Sequence, residues 1–294
     1  MGFEIIIPAY RPDEKLERSV VMLLAQKALP DRIRIMLTSD DPEEISELQK
    51  KLGGGVRVEQ VQKKVFSHGG TRQMGMDGAG SDYVLFMTQD AVPCDESLTE
   101  ELLTAVSKPG AAVAYARQIA FGNADSVEKF TRRFNYPTKS RTQTKKDLET
   151  IGVKAIFCSD TCAMYKRVLH KEIGGFDTNA NFNEDGIFAY NALMKGYTVE
   201  YCAEAKVYHS HNMSLKEHFE RNCTIALNQK AHPEIYGNLR SESEGIRYIR
   251  TGLRFFMKKK KYRSAGKLLV TGAVRYIGYF CGKHFSGKQT DGRN

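Results

Sequence analysis

The sequence has no tryptophan, only eight prolines in 294 residues, and no two cysteines in C-x-x-C spacing. Its six cysteines are scattered, which argues against the disulfide framework of a small secreted protein and predicts reduced, cytosolic thiols. No run of about 18 apolar residues occurs, so no segment is predicted to span a bilayer. The opening MGFEIIIPAY lacks the basic and apolar regions of a signal peptide, and we expect none.

Acidic residues are nearly missing from one part of the chain. Between Arg247 and Asn294 there are 13 lysines and arginines and one acidic residue, Asp291, whereas the rest of the chain carries 31 basic and 34 acidic residues. The net charge of +9 therefore comes from the C-terminal segment. A basic segment can bind nucleic acid, but no RNA- or DNA-binding motif is visible, so no nucleic-acid partner is predicted.

Short apolar runs alternate with helical patterns as far as residue 117, which is typical of an α/β protein with a mostly parallel sheet. The predicted strands of this part are FEIIIPAY, RIRIML, VRVEQV, YVLFM and AAVAYAR. Later we predict a mobile polar loop at 137–150, a strand pair in AIFCSDTCAMYKR, a helix in NEDGIFAYNALMKG capped by Asn183, and a strand in YTVEYCAEAKVYHSHN that ends on two histidines. Helices dominate after it.

Polar residues stand where three predicted strands end. The three clusters are Pro8-Ala9-Tyr10, Ser39-Asp40-Asp41 and Thr88-Gln89-Asp90. Ligands of open parallel sheets bind outside the carboxyl ends of the strands, so the clusters predict one binding edge. A carboxylate at Asp90 can hold a divalent metal that in turn holds a diphosphate. The alternative is a carboxylate that caps the next helix or is simply solvated.

Three other groups have residue types that carry chemistry. Glu184 and Asp185 open a predicted helix, where a carboxylate can act as general base or merely stabilise the helix dipole. His209 and His211 are two residues apart on a predicted strand and could both be metal ligands; the alternative is a pair of ordinary surface or core histidines. In HGGTR, the glycines permit close approach of a ligand and Arg72 offers a phosphate-binding fork; the alternative is a turn with a surface arginine.

A set of motifs occurs in the order seen in inverting family 2 glycosyltransferases, and the chain resembles that family over roughly residues 3–285. The motifs are IIIPAYRP, FSHGGTRQMGM, YVLFMTQDAVP, FCSDTCAMYKR, GGFD with NEDGIFAYNALMKGY, and AKVYHSHNMSLKEHF. HGGTR, TQDA and VYHSHN are most similar to the bacterial rhamnosyltransferase branch. The resemblance implies the GT-A fold of nucleotide-diphospho-sugar transferases, with a Rossmann-like, mostly parallel sheet and a C-terminal helical extension.

The resemblance also implies an activity. It is the transfer of a hexose, L-rhamnose from dTDP-L-rhamnose, to a hydroxyl of a lipid-linked glycan acceptor in cell-surface polysaccharide biosynthesis. The same chemistry with a UDP-hexose donor is one alternative. An inactive sugar-nucleotide-binding scaffold is another, and it belongs to a different functional class.

Roles for individual residues follow from the resemblance. The donor nucleotide is assigned to Pro8, Ala9, Tyr10, Asp40, Arg72, Gln89 and Asp90. Asp90 matches the last residue of the family's metal-binding D-x-D motif, and Thr88 replaces the first, which makes His209 or His211 more important as a ligand of Mn²⁺ or Mg²⁺. Asp185, beside Glu184, matches the residue that deprotonates the acceptor hydroxyl.

The C-terminal segment is predicted to be a separate region. We place a GT-A domain at 1–240 and basic amphipathic helices at 241–294. The block Lys258–Lys261 and an apolar stripe indicate a helix lying on the anionic cytoplasmic face of the inner membrane; the stripe is Leu268, Leu269, Val270, Val274, Ile277 and Phe280. A helical hairpin packed on the core, with a solvated basic face, explains the pattern equally well. The predicted location is the cytoplasm, peripheral on that membrane.

Overall fold

The computed structural model of the chain describes residues 2–180, 182–237, 239 and 242–285. The chain divides into two compact units. The first unit is Met1–Gly122 with Asn135–Ser210, and the second unit is Asn123–Phe134 with His211–Asn294. The predicted boundary at residue 240 is not where this division falls. The assignment of a GT-A domain to 1–240 stays a prediction.

The elements up to residue 119 alternate as predicted, except that a two-residue strand, Val92–Pro93, directly follows the strand Tyr83–Met87. They are β1 (Phe3–Ala9), α1 (Glu14–Leu24), β2 (Arg32–Thr38), α2 (Pro42–Leu52), β3 (Arg57–Val61), α3 (His68–Asp77), β4 (Tyr83–Met87), β5 (Val92–Pro93), α4 (Leu98–Val106) and β6 (Ala111–Ile119).

The remaining elements are less regular in their order. They are α5 (Ser126–Asn135), β7 (Arg141–Gln143), α6 (Asp147–Ile151), β8 (Cys162–Lys166), α7 (Arg167–Ile173), α8 (Glu184–Met194), β9 (Thr198–Tyr208), α9 (Leu215–Ala231), α10 (Pro233–Tyr236), α11 (Glu242–Lys258) and α12 (Tyr262–His284).

The strands of the described residues form one sheet in the order β3-β2-β1-β4-β8-β6-β9-β5, with β7 beside β9. β1 is parallel to β2 and β4, β2 to β3, and β6 to β9. β8 is antiparallel to β4 and β6, and β5 and β7 are antiparallel to β9. Because β1, β2 and β4 run the same way, their carboxyl ends lie at one edge of the sheet. That edge carries the three predicted polar clusters.

Local sequence explains why these strands and helices form where they do. All five residues of β4 are buried, and β1 is buried except at Pro8. The Asp13 carboxylate caps α1 by accepting from Lys15 N, and Asp41 caps α2 by accepting from Glu43 N. The apolar face of α1 packs on the residues of β1, β2 and β4 in one core.

Two predictions for the middle of the chain are wrong. Residues 137–150 are not a mobile loop, because they contain β7 and the start of α6. Gln143 of β7 is buried, accepts from the Tyr115 hydroxyl and donates to the Ala155 carbonyl, so a polar side chain takes the place of an apolar one. AIFCSDTCAMYKR forms one strand, β8, rather than a pair, since the residues before it are held by turns.

The second unit is helical. Val127 and Phe130 of α5 pack with Phe256 of α11 and with Ala265 and Leu268 of α12. Leu268, predicted as part of the exposed stripe, is therefore a core residue of this unit. The rest of the stripe differs, because Leu269, Val270, Ile277 and Phe280 are exposed and Val274 is half-buried.

Helices α9 and α12 approach each other through two glycines. A Cβ at Gly278 would overlap the Phe219 carbonyl oxygen, and one at Gly282 would overlap that of Cys223. Residues 278 and 282 are one helical turn apart, as are 219 and 223, so the two helices touch backbone to backbone along one line. Among the helices of the described ranges, none combines the length and the apolar character that a membrane span needs.

Candidate active site

The first polar cluster is tied to the third by a pair of hydrogen bonds. Gln89 accepts from Tyr10 N at 2.8 Å and donates to Tyr10 O at 2.9 Å, so its amide links the ends of β1 and β4. Ala9 is buried, Pro8 is half-buried and the Tyr10 ring is exposed. The structure thus brings these four predicted nucleotide-binding residues together, with Gln89 fixing the backbone beside Tyr10.

The second cluster is held by hydrogen bonds to nearby segments of the same chain. Asp40 is exposed and its Oδ1 accepts from Lys63 N at 3.0 Å, just after β3. The buried Ser39 accepts from Asp41 N through its hydroxyl. Asp40 therefore stands at the same sheet edge as Tyr10, with its other carboxylate oxygen, Oδ2, outside this bond.

Asp90 and His209 face each other at that edge. Asp90 Oδ2 lies 3.4 Å from His209 Nε2, and His209 is buried. On the other side of the ring, His209 Nδ1 lies 2.8 Å from Gln118 Oε1, while Gln118 Nε2 donates to Ser159 Oγ at 2.9 Å. Because Gln118 Oε1 accepts, Nδ1 carries a proton, and in the neutral ring Nε2 then presents its lone pair to the Asp90 carboxylate.

That donor set fits a divalent cation. Two ligand atoms held about 2.1 Å from one ion at roughly 90–110° are about 3.0–3.4 Å apart, which matches the Asp90–His209 distance. Two electron-rich atoms this close repel each other unless a cation or a proton lies between them. A histidine ligand oriented by a carbonyl on its second nitrogen is also the usual arrangement around metals, and Gln118 supplies that carbonyl.

Thr88 stands where the D-x-D motif of the family has its first carboxylate, and its side chain makes no hydrogen bond among the described residues. Its hydroxyl oxygen is buried. Its backbone N donates to Thr161 O, which ties the end of β4 to the segment before β8. Burying a hydroxyl without a hydrogen-bond partner costs free energy. Thr88 Oγ1 is therefore still able to form a hydrogen bond, two residues from Asp90.

The two histidines differ in their surroundings. Both follow β9 rather than ending it, because the strand stops at Tyr208. His209 continues the strand pairing by donating its N–H to Ile119 O and is buried, whereas His211 is exposed. His211 is the first residue of the second unit, two residues along the chain from His209.

Asp185 is held at the start of α8. Its Oδ2 accepts from Asp160 N at 3.0 Å, and its Oδ1 accepts from Gly186 N at 2.7 Å. Asn183 stands at the N-cap position in the left-handed conformation, with φ 66°. Burial, and then the charge of Glu184, raises the pKa of Asp185 to about 6, against the effect of the two N–H groups and of Arg72.

Glu184 and Arg72 form a buried ion pair beside this base. Arg72 Nη1 donates to Glu184 Oε1 at 2.6 Å, and Arg72 Nε lies 3.0 Å from Asp160 Oδ2 without hydrogen-bond alignment. The Tyr165 hydroxyl donates to Asp160 Oδ1 at 2.6 Å. Burial raises the pKa of the Asp160 carboxyl well above its usual range. The predicted contact between Arg72 and a nucleotide stays a prediction, since both nitrogens named here already face carboxylates.

The glycines of HGGTR serve packing within α3. Ser67 caps this helix by accepting from Gly70 N, so the helix begins at His68 and includes both glycines. A Cβ at Gly69 would overlap the Asp177 carbonyl oxygen. The structure shows a close approach of the 177–180 turn at Gly69, and the approach of a ligand inferred from the sequence stays a prediction.

The three residues Ser159, Asp160 and Thr161 connect both halves of the site. Ser159 accepts from Gln118, which orients His209; Asp160 N holds Asp185; and Thr161 O accepts from Thr88 N. Sequence reasoning missed Gln118, Ser159 and Asp160 as site residues. The available signal was SDT, a polar triplet directly before a buried strand within a motif already singled out.

Comparison with known proteins gives the family. The profile of glycosyl transferase family 2 matches residues 4–174, more than half of the chain. The chain belongs to glycosyl transferase family 2, as its motifs predicted.

Two curated relatives extend the similarity beyond that range. The O-antigen chain rhamnosyltransferase RfbN of Salmonella typhimurium (strain LT2) is 31% identical over 287 residues, which are 97% of this chain and 90% of that protein. The O-antigen chain rhamnosyltransferase WbaN of Salmonella anatum is 32% identical over 222 residues, 75% of this chain and 70% of that protein.

A solved structure agrees on the fold. The mannosyltransferase PcManGT from Pyrobaculum calidifontis, in complex with GDP-Man and Mn²⁺, superposes with a TM-score of 0.59 at 12% identity, over 94% of this chain and 86% of that one. Identity this low shows the fold alone, and it confirms the predicted GT-A architecture.

Proposed function

We propose that this protein transfers L-rhamnose from dTDP-L-rhamnose to a hydroxyl of a lipid-linked glycan, with inversion at the anomeric carbon, during cell-surface polysaccharide assembly. Its family and two relatives named as O-antigen chain rhamnosyltransferases support the reaction class and the sugar. One observation in the structure carries the proposal. The triplet 159–161 is hydrogen-bonded both to a candidate base, Asp185, and, through Gln118, to His209, whose Nε2 lies 3.4 Å from Asp90 Oδ2 in the candidate metal pair.

Asp185 is the proposed general base. Its pKa near 6 leaves it ionised at neutral pH yet basic enough to accept a proton as the acceptor oxygen attacks. The N–H groups of Asp160 and Gly186 fix the orientation of the carboxylate. Glu184, predicted beside it as a second catalytic residue, acts in this proposal by raising the basicity of Asp185 while it stays paired with Arg72.

Asp90 and His209 are the proposed protein ligands of Mn²⁺ or Mg²⁺, with His211, two residues further along the chain, as the third. A divalent cation at such a site stabilises the negative charge that develops on the departing diphosphate. Gln118 keeps the Nδ1 proton of His209 engaged, so that Nε2 remains available.

The donor nucleotide is proposed to lie along the strand ends. Tyr10 offers an exposed ring beside Pro8 and Ala9, and Asp40 offers a carboxylate oxygen at the same edge. Gln89 supports this binding indirectly, by holding the backbone of Tyr10. Arg72 is the least exposed of the charged residues among the predicted nucleotide contacts, and its contacts support a role in holding Glu184 and Asp160.

A panel of nucleotide sugars tests the function directly. Purified protein is incubated with dTDP-L-rhamnose, UDP-glucose or UDP-galactose and a lipid-linked glycan acceptor, and release of the nucleoside diphosphate is measured with Mn²⁺, Mg²⁺ or a chelator. We expect turnover with dTDP-L-rhamnose and a metal. Preference for a UDP-hexose would replace the donor assignment, and binding without turnover of any donor would favour a scaffold protein.

We also infer that the second unit lies on an anionic membrane surface. Helix α12 exposes Leu269, Tyr276, Ile277 and Phe280, which share one helical face, and the exposed block Lys258–Lys261 precedes it. Each basic residue near such a surface contributes about 1 kcal/mol. Sedimentation with vesicles tests this: we expect binding to vesicles with anionic lipid, weakened by high salt. Equal binding to zwitterionic vesicles would contradict the electrostatic part.

A further inference from the structure

The second unit contains a polar pocket that none of the assigned roles uses. It is a small cleft of about 40 Å³ that opens to solvent, and its walls come from α5, α9, α11, α12 and the segment 211–213. The charged and aromatic side chains that line it are Asp125, Glu128, His211, His218, Tyr248, Lys267 and Arg275. The cleft has room for a few water-sized groups.

The two carboxylates of this pocket are already neutralised. Asp125 Oδ2 lies 2.7 Å from Lys267 Nζ, and Asp125 Oδ1 accepts from Val127 N and Glu128 N at the start of α5. Glu128 Oε1 lies 2.7 Å from Arg132 Nε, with both side chains mostly buried. Each of these two carboxylates is therefore already paired with a cation, and neither neutralises another positive charge in the pocket.

Arg275 is the unmatched charge of the pocket. Its guanidinium lies over the Tyr248 ring at 5.5 Å and, in the part of the chain that the structure describes, has no carboxylate partner. Burial, followed by the charges of Arg275, Arg221 and Lys267, lowers the pKa of His218 against the effect of Glu128. Cations thus outweigh acids around His218, which remains a neutral hydrogen-bonding group next to a free guanidinium fork.

We propose that this pocket binds a phosphate group of the glycan acceptor. A planar guanidinium pairs with phosphate oxygens through two parallel hydrogen bonds, and the neutral imidazole of His218 adds a further polar contact. A glycan linked to a lipid through phosphate or diphosphate presents that anion close to its first sugar. His211 lines the pocket and is two residues along the chain from His209, a proposed ligand of the catalytic metal.

The identity of the ligand rests on the proposed function, whereas the pocket itself can be tested without turnover. Calorimetric titration of the full chain with inorganic phosphate is done in the presence of a chelator, which removes any contribution of a bound metal, and the variants below isolate the contribution of the pocket. We expect Arg275→Gln to weaken phosphate binding by about tenfold or more, because it removes a charge-assisted contact. Arg275→Lys, which keeps the charge without the fork, is expected to be intermediate.

The matched control is Arg263→Gln, which makes the same change on an exposed arginine of the same helix. Thermal melting of all three variants checks that the second unit stays folded. Equal phosphate binding by the wild type, Arg275→Gln and Arg263→Gln would overturn the pocket as an anion site, whether or not the protein transfers a sugar.

Kinetics separate the acceptor from free phosphate as the source of the anion. With a short-tailed glycosyl diphosphate acceptor, we expect Arg275→Gln to raise the acceptor KM about tenfold while the donor KM stays constant. With the same glycan lacking phosphate, wild type and variant are expected to have equal KM values. A variant that loses phosphate binding but keeps the acceptor KM would support the anion site and overturn its assignment to the acceptor.

Discussion

The two units of this protein use their charged residues in opposite ways. In the first unit, the buried Arg72 faces two buried carboxylates, with its Nη1 2.6 Å from Glu184 Oε1 and its Nε 3.0 Å from Asp160 Oδ2. In the second unit, Lys258–Lys261 are exposed, and α12 exposes large apolar side chains to solvent as well. A buried pair whose partner is removed leaves an uncompensated charge, whereas an exposed charge costs little to change.

This difference indicates where each unit gains its function. The first unit fixes the geometry of a few atoms around Asp185 and His209, as the proposed chemistry requires. The second unit displays charge and apolar area over several turns of helix, as a surface does for a partner without a single fixed geometry. The two kinds of region should therefore respond differently to single substitutions.

The largest effect is expected from the proposed base. Asp185→Asn keeps the size of the side chain but cannot accept the proton, so kcat should fall by about 10²- to 10⁴-fold. Donor binding, followed by calorimetry, should be nearly unchanged, because an asparagine side chain has the same size and its oxygen can still accept from Asp160 N or Gly186 N. Turnover close to that of the wild type would remove Asp185 from the role of base.

The next effect is expected at the orienting amide of the metal pair. Gln118→Leu removes the carbonyl that holds His209 Nδ1, so the Mn²⁺ concentration for half-maximal activity should rise by about 10- to 100-fold. Activity at saturating metal should largely recover. Ser159→Ala is the matched control, since it removes the other hydrogen bond of Gln118 and should shift the metal requirement less. An unchanged requirement in Gln118→Leu would argue against His209 as a ligand.

A smaller effect is expected on the exposed face of α12. Fully burying a Leu or Phe side chain contributes about 1.5–3 kcal/mol. Leu269 and Phe280 are 49% and 44% exposed, so only about half of each remains to be buried, and changing both to Ser should weaken binding to anionic vesicles by about tenfold or more. Val21→Ser, a similar change at a residue of α1 that is 66% exposed, should have no effect. Equal vesicle binding by all three proteins would show that this face does not meet the membrane.

The smallest expected change is a shift of the pH profile. Because Asp185 must be ionised to act as base and its pKa is raised to about 6, kcat should fall as the pH drops through about 6. Glu184→Gln removes the neighbouring negative charge that raises this pKa, so the acidic limb should move to lower pH. Glu149→Gln, on the exposed face of α6, is the control and should leave the limb in place.

How far the sequence predicts this molecule depends on the range of each interaction. Asp90 and Asp185 were found because a buried strand precedes one and a helix begins at the other, and both signals are local. Gln118 escaped notice because its partners, Ser159 and His209, are 41 and 91 residues away in sequence. Strand β7 was taken for a loop because its buried residue, Gln143, is polar and satisfied only by distant groups.

The glycines of α12 set a limit on how that helix can vary. Gly278 and Gly282 leave no room for a side chain against α9, while Leu269, Tyr276 and Phe280 contact little on the opposite side. The outer side can therefore be redesigned with polar residues without disturbing the helix pair. A variant with polar residues on that side of α12 should keep the first unit intact and allow transfer to be measured on soluble acceptors.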